Sequence, residues 1–426
     1  MRAAAGGRGP VDFLAGLGVL ALFCLSGYAL EYFGIPYVSD GGSILTKLHP
    51  YLYLFALALL VAVVANPDPV GYAASLAVRR PGSIAVIAAC GVIYVFVSRY
   101  KPDMSAAYLG DAMISAALVS LVLADSPERA RLWLARMLHA IVIVNALLAI
   151  VEVSTHWRLF PFGIKGDYMV WDYRATALFG HPLDGALATG VYAVILMTAP
   201  RVPGLAARLR LPVILLCMAA MPAIGARTSF AIVYGIAAVM AGLGLLAFLR
   251  GRRVGRGTLL VVLVGAAVLP LAAAAAWHAG YLDGFLGRFQ NDSGSADARF
   301  DLYNLFSHYG LQEMVAGYSP IEYRTRIRVE GLESGVENAL VGHLMQFGIP
   351  LSMMLWCALA AFLADLIREA GRHALIPTVF MLLVISTSVG ISGKTTMLVM
   401  PVAIMLILLG GSGAMPGAPQ RPRGSP

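Results

Sequence analysis

The sequence predicts an all-α integral membrane protein with about twelve transmembrane helices and one long extramembrane loop that contains short helices. Hydrophobic residues make up 59% of its 426 residues and charged residues only 13%, which is about half the charged fraction of a soluble domain. Apolar runs long enough for a membrane span, roughly 17 residues or more, recur along the chain. This composition excludes a soluble globular class.

Apolar runs predict twelve spans within a polytopic membrane domain of residues 1–411. They lie at 11–30, 49–65, 82–98, 105–124, 132–152, 182–199, 211–225, 228–249, 258–277, 337–364, 374–392 and 396–411. Residues 278–336 form the long loop between the ninth and tenth spans, because a bilayer cannot accommodate their polar composition. The Gly- and Pro-rich residues 412–426 are expected to form a disordered cytoplasmic tail.

Basic residues are unevenly divided between the two sides of this topology. If the amino terminus is cytoplasmic and the spans alternate, short cytoplasmic segments hold 18 of the 31 basic residues and short outer segments hold 5. This positive-inside bias predicts that both termini are cytoplasmic. The net charge of +8 mostly reflects the same bias, so it does not indicate nucleic-acid binding.

Arg227 interrupts two apolar runs in the segment PAIGARTSF, where no room is left for a loop. An arginine at the end of a span is costly if it is unpaired at depth, so it should have a partner. Two interpretations stay open. The side chain could snorkel to the outer boundary of the membrane, or it could bind an anion there.

Four motifs follow one another in the later part of the chain. They are RATALFGHPLDGALA (174–188), GARTSF (225–230), DARFDLYNLF (297–306) with GYSP (317–320), and ENALVGHLMQFGIP (337–350). In this order, and together with the spans and the single long loop, they resemble the O-antigen ligase and Wzy-type polysaccharide polymerase superfamily. Within it, the chain is most similar to the VpsF-like exopolysaccharide biosynthesis polymerases.

The resemblance implies a polysaccharide polymerase of the bacterial inner membrane whose long loop is periplasmic. Such a glycosyltransferase moves a glycan chain from undecaprenyl diphosphate to a sugar hydroxyl of a lipid-linked repeat unit. It is expected to be inverting, with neither a cofactor nor a metal. Its partners would be the lipid-linked oligosaccharide, membrane lipids and other polysaccharide export proteins. Guanidinium groups suit a diphosphate leaving group, so Arg227 and Arg299 are the candidate catalytic arginines, with Arg174 binding substrate.

The acceptor hydroxyl also needs a general base. Members of the ligase branch typically carry His-Asn at the start of the late span, whereas this chain carries Glu337-Asn338. That departure favours a polymerase over a ligase and leaves the identity of the base open. Glu337 is the candidate catalytic residue, with His181 as a second candidate for the base. His181, Asn338 and Tyr303 are expected to bind substrate. Glu337 could instead be an acid favoured by a helix N-terminus, and His181 could be a loop residue packed near Pro182.

Two further patterns carry expectations. The segment EYRTRIRVE (322–330) alternates in the manner of a strand, which would put Arg324, Arg326 and Arg328 on one face. Asp12 and Asp111 lie inside apolar runs and favour a rival class, a transporter or flippase for polysaccharide precursors, because buried acids serve as ion-coupling sites. Related halves, which such transporters usually have, are not visible in the sequence.

Overall fold

The computed structural model is almost entirely helical. It describes residues 8–39, 43, 45–161, 163–164, 167–168, 174–251, 277–278, 280–290, 302–332, 336–388 and 390–411. The α-helices of this part, α1 to α16 in chain order, are Gly9–Cys24, Gly27–Tyr32, Pro50–Val64, Pro69–Arg79, Pro81–Tyr100, Ser115–Leu123, Glu128–Thr155, Pro182–Thr198, Ala207–Ile224, Arg227–Leu249, Asp283–Gln290, Leu311–Ala316, Pro320–Val329, Ala339–Ala370, Leu375–Ser386 and Val399–Leu409. A π-helix at Leu109–Ile114 leads into α6, and strands β1 (Gly163–Ile164) and β2 (Asp167–Tyr168) pair antiparallel.

Five of the described helices are long and apolar enough to cross a membrane, namely α5, α7, α9, α10 and α14. Even the shortest would extend about 27 Å, close to the roughly 30 Å of a hydrocarbon core. Shorter apolar helices accompany them, including α1, α3, α8 and α16. The prediction of a helical membrane protein is confirmed. Within the described part, however, helix lengths give fewer full-length spans than the predicted twelve.

Several predicted spans are interrupted instead of continuous. The run 11–30 breaks after α1, where Ser26 caps α2 by accepting a hydrogen bond from the Ala29 N–H at 3.2 Å. The run 105–124 contains the π-helix, and α15 ends at Ser386, well before α16 begins at Val399. Irregular backbone is tolerated at membrane depth where protein surrounds it. The predicted span 258–277, apart from Trp277, and the tail 412–426 lie outside the described residues.

One end of the bundle is rich in arginine. Arg79 binds the Asp125 carboxylate through both Nη atoms, at 2.5 and 2.8 Å, and Arg8 lies 3.9 Å from the same carboxylate. Arg80, which is buried, pairs with Glu369 at 3.0 Å. Burial opposes ionisation of Asp125, but the hydrogen bonds and charge of Arg79 outweigh it and lower the pKa of Asp125. We call this the Arg79 end.

The opposite end is held together by lysine. Lys101 follows α5, and its ammonium donates hydrogen bonds to the carbonyl oxygens of Ala316, Tyr318 and Gln346. The Gln346 side chain also donates to the Ser392 carbonyl oxygen at 3.4 Å, so the segment between α15 and α16 lies at this end as well. We call it the Lys394 end, because Lys394 lies in the segment between α15 and α16.

Helices α5 and α14 join the two ends in close contact. A Cβ on Gly82 would lie 2.4 Å from the backbone nitrogen of Phe362, so only glycine lets the two backbones approach this closely. The Gly82 N–H donates to the buried Asp365 carboxylate at 2.7 Å. Farther along, Gly348 has φ 74° and ψ 178°, which bends α14 just before Pro350.

The described part of the long loop packs on the first turns of α14. Its apolar residues Leu302, Leu305, Tyr318, Leu332 and Val336 form a cluster with Val341 and Met345 of α14, separate from the main core. The strand expected for 322–330 is wrong, because residues 322–329 belong to helix α13 and Glu330 follows its last turn. Ser319 accepts a hydrogen bond from the Glu322 N–H at 3.2 Å, and Pro320 occupies the first turn. On a helix, the middle arginine, Arg326, points away from Arg324 and Arg328.

Candidate functional site

The structure brings Arg174 and Arg227 to one place. Helix α9 ends at Ile224 and is followed by Gly225, whose φ of 74° turns the chain so that Arg227 begins α10. The Ala175 N–H donates to the Ala223 carbonyl at 2.9 Å, and Cγ of Arg174 lies 2.8 Å from the position of a Cβ on Gly225. Two arginines from distant motifs therefore flank one turn.

The turn that follows Arg174 is fixed by polar side chains of α7. The Glu152 carboxylate, 3% exposed, accepts hydrogen bonds from the backbone N–H groups of Thr176 at 2.8 Å and Ala177 at 3.0 Å. Asn145 Oδ1 accepts from the N–H groups of Leu178 and Phe179 at 3.0 and 3.2 Å. Ala177 has φ 44°, an unfavourable conformation for a residue with a Cβ. These acceptors hold the backbone in that shape.

His181 and Asp184 stand at the beginning of α8, directly after this turn. His181 caps the helix, with its Nδ1 accepting a hydrogen bond from the Leu183 N–H at 3.2 Å. Nδ1 of His181 is therefore occupied by the helix cap and is not turned outward, as a general base at the outer surface would require. Asp184 is buried, and its Oδ2 accepts from the N–H and the hydroxyl of Thr396 at 3.2 and 2.9 Å. Its Oδ1 has no hydrogen-bond partner among the described residues.

Packing places α8 beside the arginine turn. A Cβ on Gly185 would lie 3.8 Å from Ile224 Cγ2, in the last turn of α9. A Cβ on Gly180, where φ is 79°, would lie 2.2 Å from the Cβ of Ser26 at the α1–α2 break. The break between α1 and α2, the turn between α9 and α10 and the start of α8 therefore lie close together. We call Arg174, His181, Asp184 and Arg227 the arginine site.

A second polar group, which the sequence did not place near this site, adjoins it. The Tyr37 hydroxyl and the His49 N–H each donate to the Asp111 carboxylate at 2.8 Å. Asp111 lies in the π-helix, a feature frequent at functional sites. The Lys394 ammonium donates to the Tyr37 carbonyl oxygen at 2.7 Å and lies 3.6 Å from the centre of the Tyr37 ring. Thr396, two residues after Lys394, links this group to Asp184.

Glu337 and Asn338 lie where the loop joins the bundle. Asn338 caps α14, since its Oδ1 accepts from the N–H groups of Leu340 and Val341 at 3.0 and 3.2 Å. Glu337 is half-buried between Val336 of the loop cluster and Ala339 of the main core. A Cβ on Gly342 would lie 2.7 Å from the Ser392 hydroxyl, so this end of α14 contacts the Lys394 segment.

The remaining candidates are placed differently. Tyr303 is 58% exposed on the described part of the loop, a position from which its ring is accessible. His343 is fully buried in α14, where the Trp356 ring N–H approaches its Nδ1 at 3.3 Å and the Ile391 carbonyl lies 3.3 Å from its Nε2. Arg299 lies outside the described residues. Among those that are described, no cluster of His, Cys, Asp and Glu could hold a metal ion.

The apolar helices and the two polar ends define a helical protein embedded in a membrane. No family model matches the chain, and no curated protein and no solved structure matches it either. The contacts of the arginine site therefore carry the functional argument.

Proposed function

We propose that this protein is a Wzy-type polysaccharide polymerase acting in exopolysaccharide or O-antigen biosynthesis. It transfers a glycan chain from undecaprenyl diphosphate to an acceptor sugar hydroxyl of a lipid-linked repeat unit. The observation that carries the proposal is the contact of Arg174 with Gly225, two residues before Arg227. It joins two of the motifs that resemble this superfamily at one point near the end of the membrane helices.

The arginine site has the charge that a lipid diphosphate requires. Guanidinium groups stay protonated and bind phosphate oxygens through two parallel hydrogen bonds. Arg227 also opens α10, so the positive end of that helix dipole adds to its charge. This placement is unfavourable for an isolated helix but favourable beside an anion. As the glycosidic bond breaks, negative charge grows on the diphosphate, and fixed positive charge there lowers the barrier.

The acceptor hydroxyl is proposed to reach the site from the side of the loop. Glu337 is the proposed general base, because it stands at the junction of the loop and α14, where both water and the bundle are near. Asn338 keeps the first turn of α14 in place through its cap, and Tyr303 offers an exposed ring to sugars. Arg299 is the third proposed contact to the diphosphate. Transfer to a different acceptor, as in O-antigen ligases, would use the same arginines.

The same proposal assigns the two ends to the two sides of the inner membrane. The Arg79 end, where Arg8, Arg79 and Arg80 cluster, would face the cytoplasm under the positive-inside rule. The Lys394 end and the loop of residues 278–336 would face the periplasm, with both termini cytoplasmic. Membrane lipids and other polysaccharide export proteins would be its partners.

The proposal is tested in cells that lack the protein and produce one of its variants. Arg227→Ala and Arg174→Ala are expected to abolish long polymer while lipid-linked single repeat units accumulate. The matched control is Arg208→Ala, an exposed arginine at the other end of α9, which should leave polymer length unchanged. Normal polymer from both site variants, at wild-type protein levels, would refute the proposal.

A transporter or flippase for polysaccharide precursors is the second candidate. Asp111 favours it, because a buried acid in a π-helix beside interrupted helices is typical of ion-coupled transporters. Leaflet-specific assay of the accumulated repeat units separates the two. A polymerase variant leaves them on the periplasmic leaflet, whereas a transport variant leaves them on the cytoplasmic leaflet.

A further inference from the structure

Lys394 occupies an unusual place for a charged side chain. It lies in the non-helical segment between α15 and α16, partly buried, with buried Ile391 and Ser392 on one side and buried Met397 on the other. Its ammonium donates to the Tyr37 carbonyl oxygen and sits over the Tyr37 ring. An ammonium has three donors, and a carbonyl takes only one of them.

The acids around Lys394 are engaged with other groups. Asp111 accepts from Tyr37 and from the His49 N–H, and Asp184 accepts from Thr396. Glu31 binds the N–H and the hydroxyl of Ser39. Within the described residues, no carboxylate lies within 4.0 Å of the Lys394 ammonium. Lys47, whose charge also acts on Lys394, donates to backbone carbonyl oxygens.

A lysine partly buried in protein without an ion pair is costly unless an anion joins it, so its position indicates a binding site. The other two described lysines at this end differ in this respect. Lys101 donates to three carbonyl oxygens and Lys47 to two, whereas Lys394 donates to one. Lys394 therefore keeps both charge and donors available.

We propose that Lys394 binds a phosphate-type anion at the Lys394 end, beside the arginine site. The link from Thr396 to Asp184 holds the lysine segment against the first turn of α8, which follows the turn of Arg174. The anion would thus meet guanidiniums on one side and an ammonium on the other. If the proposed polymerase function holds, the anion is the diphosphate of the lipid carrier. This identification rests on that function.

The ionisation of Lys394 suits this role and provides a readout. Burial lowers the pKa of Lys394 to about 8, and the charge of Lys47 acts in the same direction, while Asp111 and Glu31 oppose it. Tyr37, His49 and Asp184 are the other titratable groups of the elements around it. The lysine is therefore protonated below about pH 8 and loses its charge above it. Anion affinity through Lys394 must fall as the pH rises through that value.

The test uses purified full-length protein in lipid nanodiscs. Two probes are titrated separately: inorganic pyrophosphate in solution and undecaprenyl phosphate in the nanodisc lipid. Lys394→Met is expected to weaken binding about tenfold, the effect of one charge-assisted contact. Lys394→Arg should retain binding and abolish its decline between about pH 7 and 9, since a guanidinium stays charged. The control is Lys47→Met, which removes the same charge and should bind like wild type at pH 7, where Lys394 is protonated in both proteins.

A second measurement needs no variant. An amine-reactive reagent should modify Lys394 of the wild-type protein at pH 8, and either probe should slow that modification. Protection by the lipid probe alone identifies a carrier lipid as the ligand, and protection by pyrophosphate identifies the shared phosphate chemistry. Unchanged binding by Lys394→Met, or modification that neither probe slows, would overturn the inference. Lys394-dependent binding together with normal polymer from the arginine variants would refute the polymerase proposal alone.

Discussion

Cγ of Arg174 lies 2.8 Å from the point that a Cβ on Gly225 would occupy. The arginine stem fills the space that glycine leaves at the end of α9. Gly225→Ala should therefore displace Arg174 as well as strain a backbone with φ 74°. We expect loss of long polymer from this variant, with at least a tenfold fall in activity, as for removal of a charged contact.

The matched control separates the contact from the strain. Gly251 has φ 80°, and a Cβ there would have no neighbour within 4 Å. Gly251→Ala thus introduces the same left-handed alanine, at a cost of about 1 kcal/mol, without touching an arginine. Polymer length is compared for the two variants at equal protein levels. Equal effects of the two substitutions would show that the Arg174 contact is unimportant.

The hydrogen bonds that the Glu152 carboxylate accepts should hold the turn after Arg174 in its conformation. One Glu152 oxygen accepts from the Leu159 N–H, and the other accepts from the N–H groups of Thr176 and Ala177. Glu152→Gln would replace one of these oxygens by an NH₂ group, which faces N–H donors and cannot accept from them. A buried donor without an acceptor costs about 1–3 kcal/mol. We expect a lower midpoint of thermal unfolding in detergent and a shorter polymer. Glu128→Gln, in the exposed first turn of the same helix, should change neither, and a wild-type midpoint for Glu152→Gln would contradict the assigned role.

The two ends should differ in their reaction with a membrane-impermeant maleimide. Ser75 and Asp103 are both exposed, Ser75 in α4 at the Arg79 end and Asp103 just beyond α5 at the Lys394 end. In intact cells, Asp103→Cys should be modified at once, whereas Ser75→Cys should need permeabilisation. The parent protein, whose four cysteines lie in apolar segments, gives the background. The reverse pattern would invert the proposed orientation.

Much of the arginine site could be anticipated from the sequence, because Arg227 stood between two apolar runs that left it no loop. The chain there must turn within a few residues, and the turn is Gly225 and Ala226. The contact with Arg174 could not be anticipated. It depends on Glu152 and Asn145, which look like ordinary polar residues of an apolar run and whose partners are backbone N–H groups distant in sequence.

The segment 322–330 shows a different failure. Alternation of arginines suggested a strand, although Ser319, Pro320 and Glu322 form the start signal of a helix. In a segment of nine residues, the helix-capping signal decides the structure, and the alternation of arginines does not. The closeness of the Lys394 segment to Asp184 could not be predicted, for another reason. Their connection through Thr396 exists only because α15 and α16 stop short of each other, and hydropathy alone extends both runs across that gap.

Helix α16 is buried at every one of its 11 residues and packs against α1, α6, α7, α8 and α14. All five partners precede it in the chain, so a ribosome makes the central helix after the helices that enclose it. At about 16 Å, α16 is also too short to cross a bilayer unaided. The centre of the bundle therefore cannot be filled until α16 has been synthesised, after all five helices that pack against it.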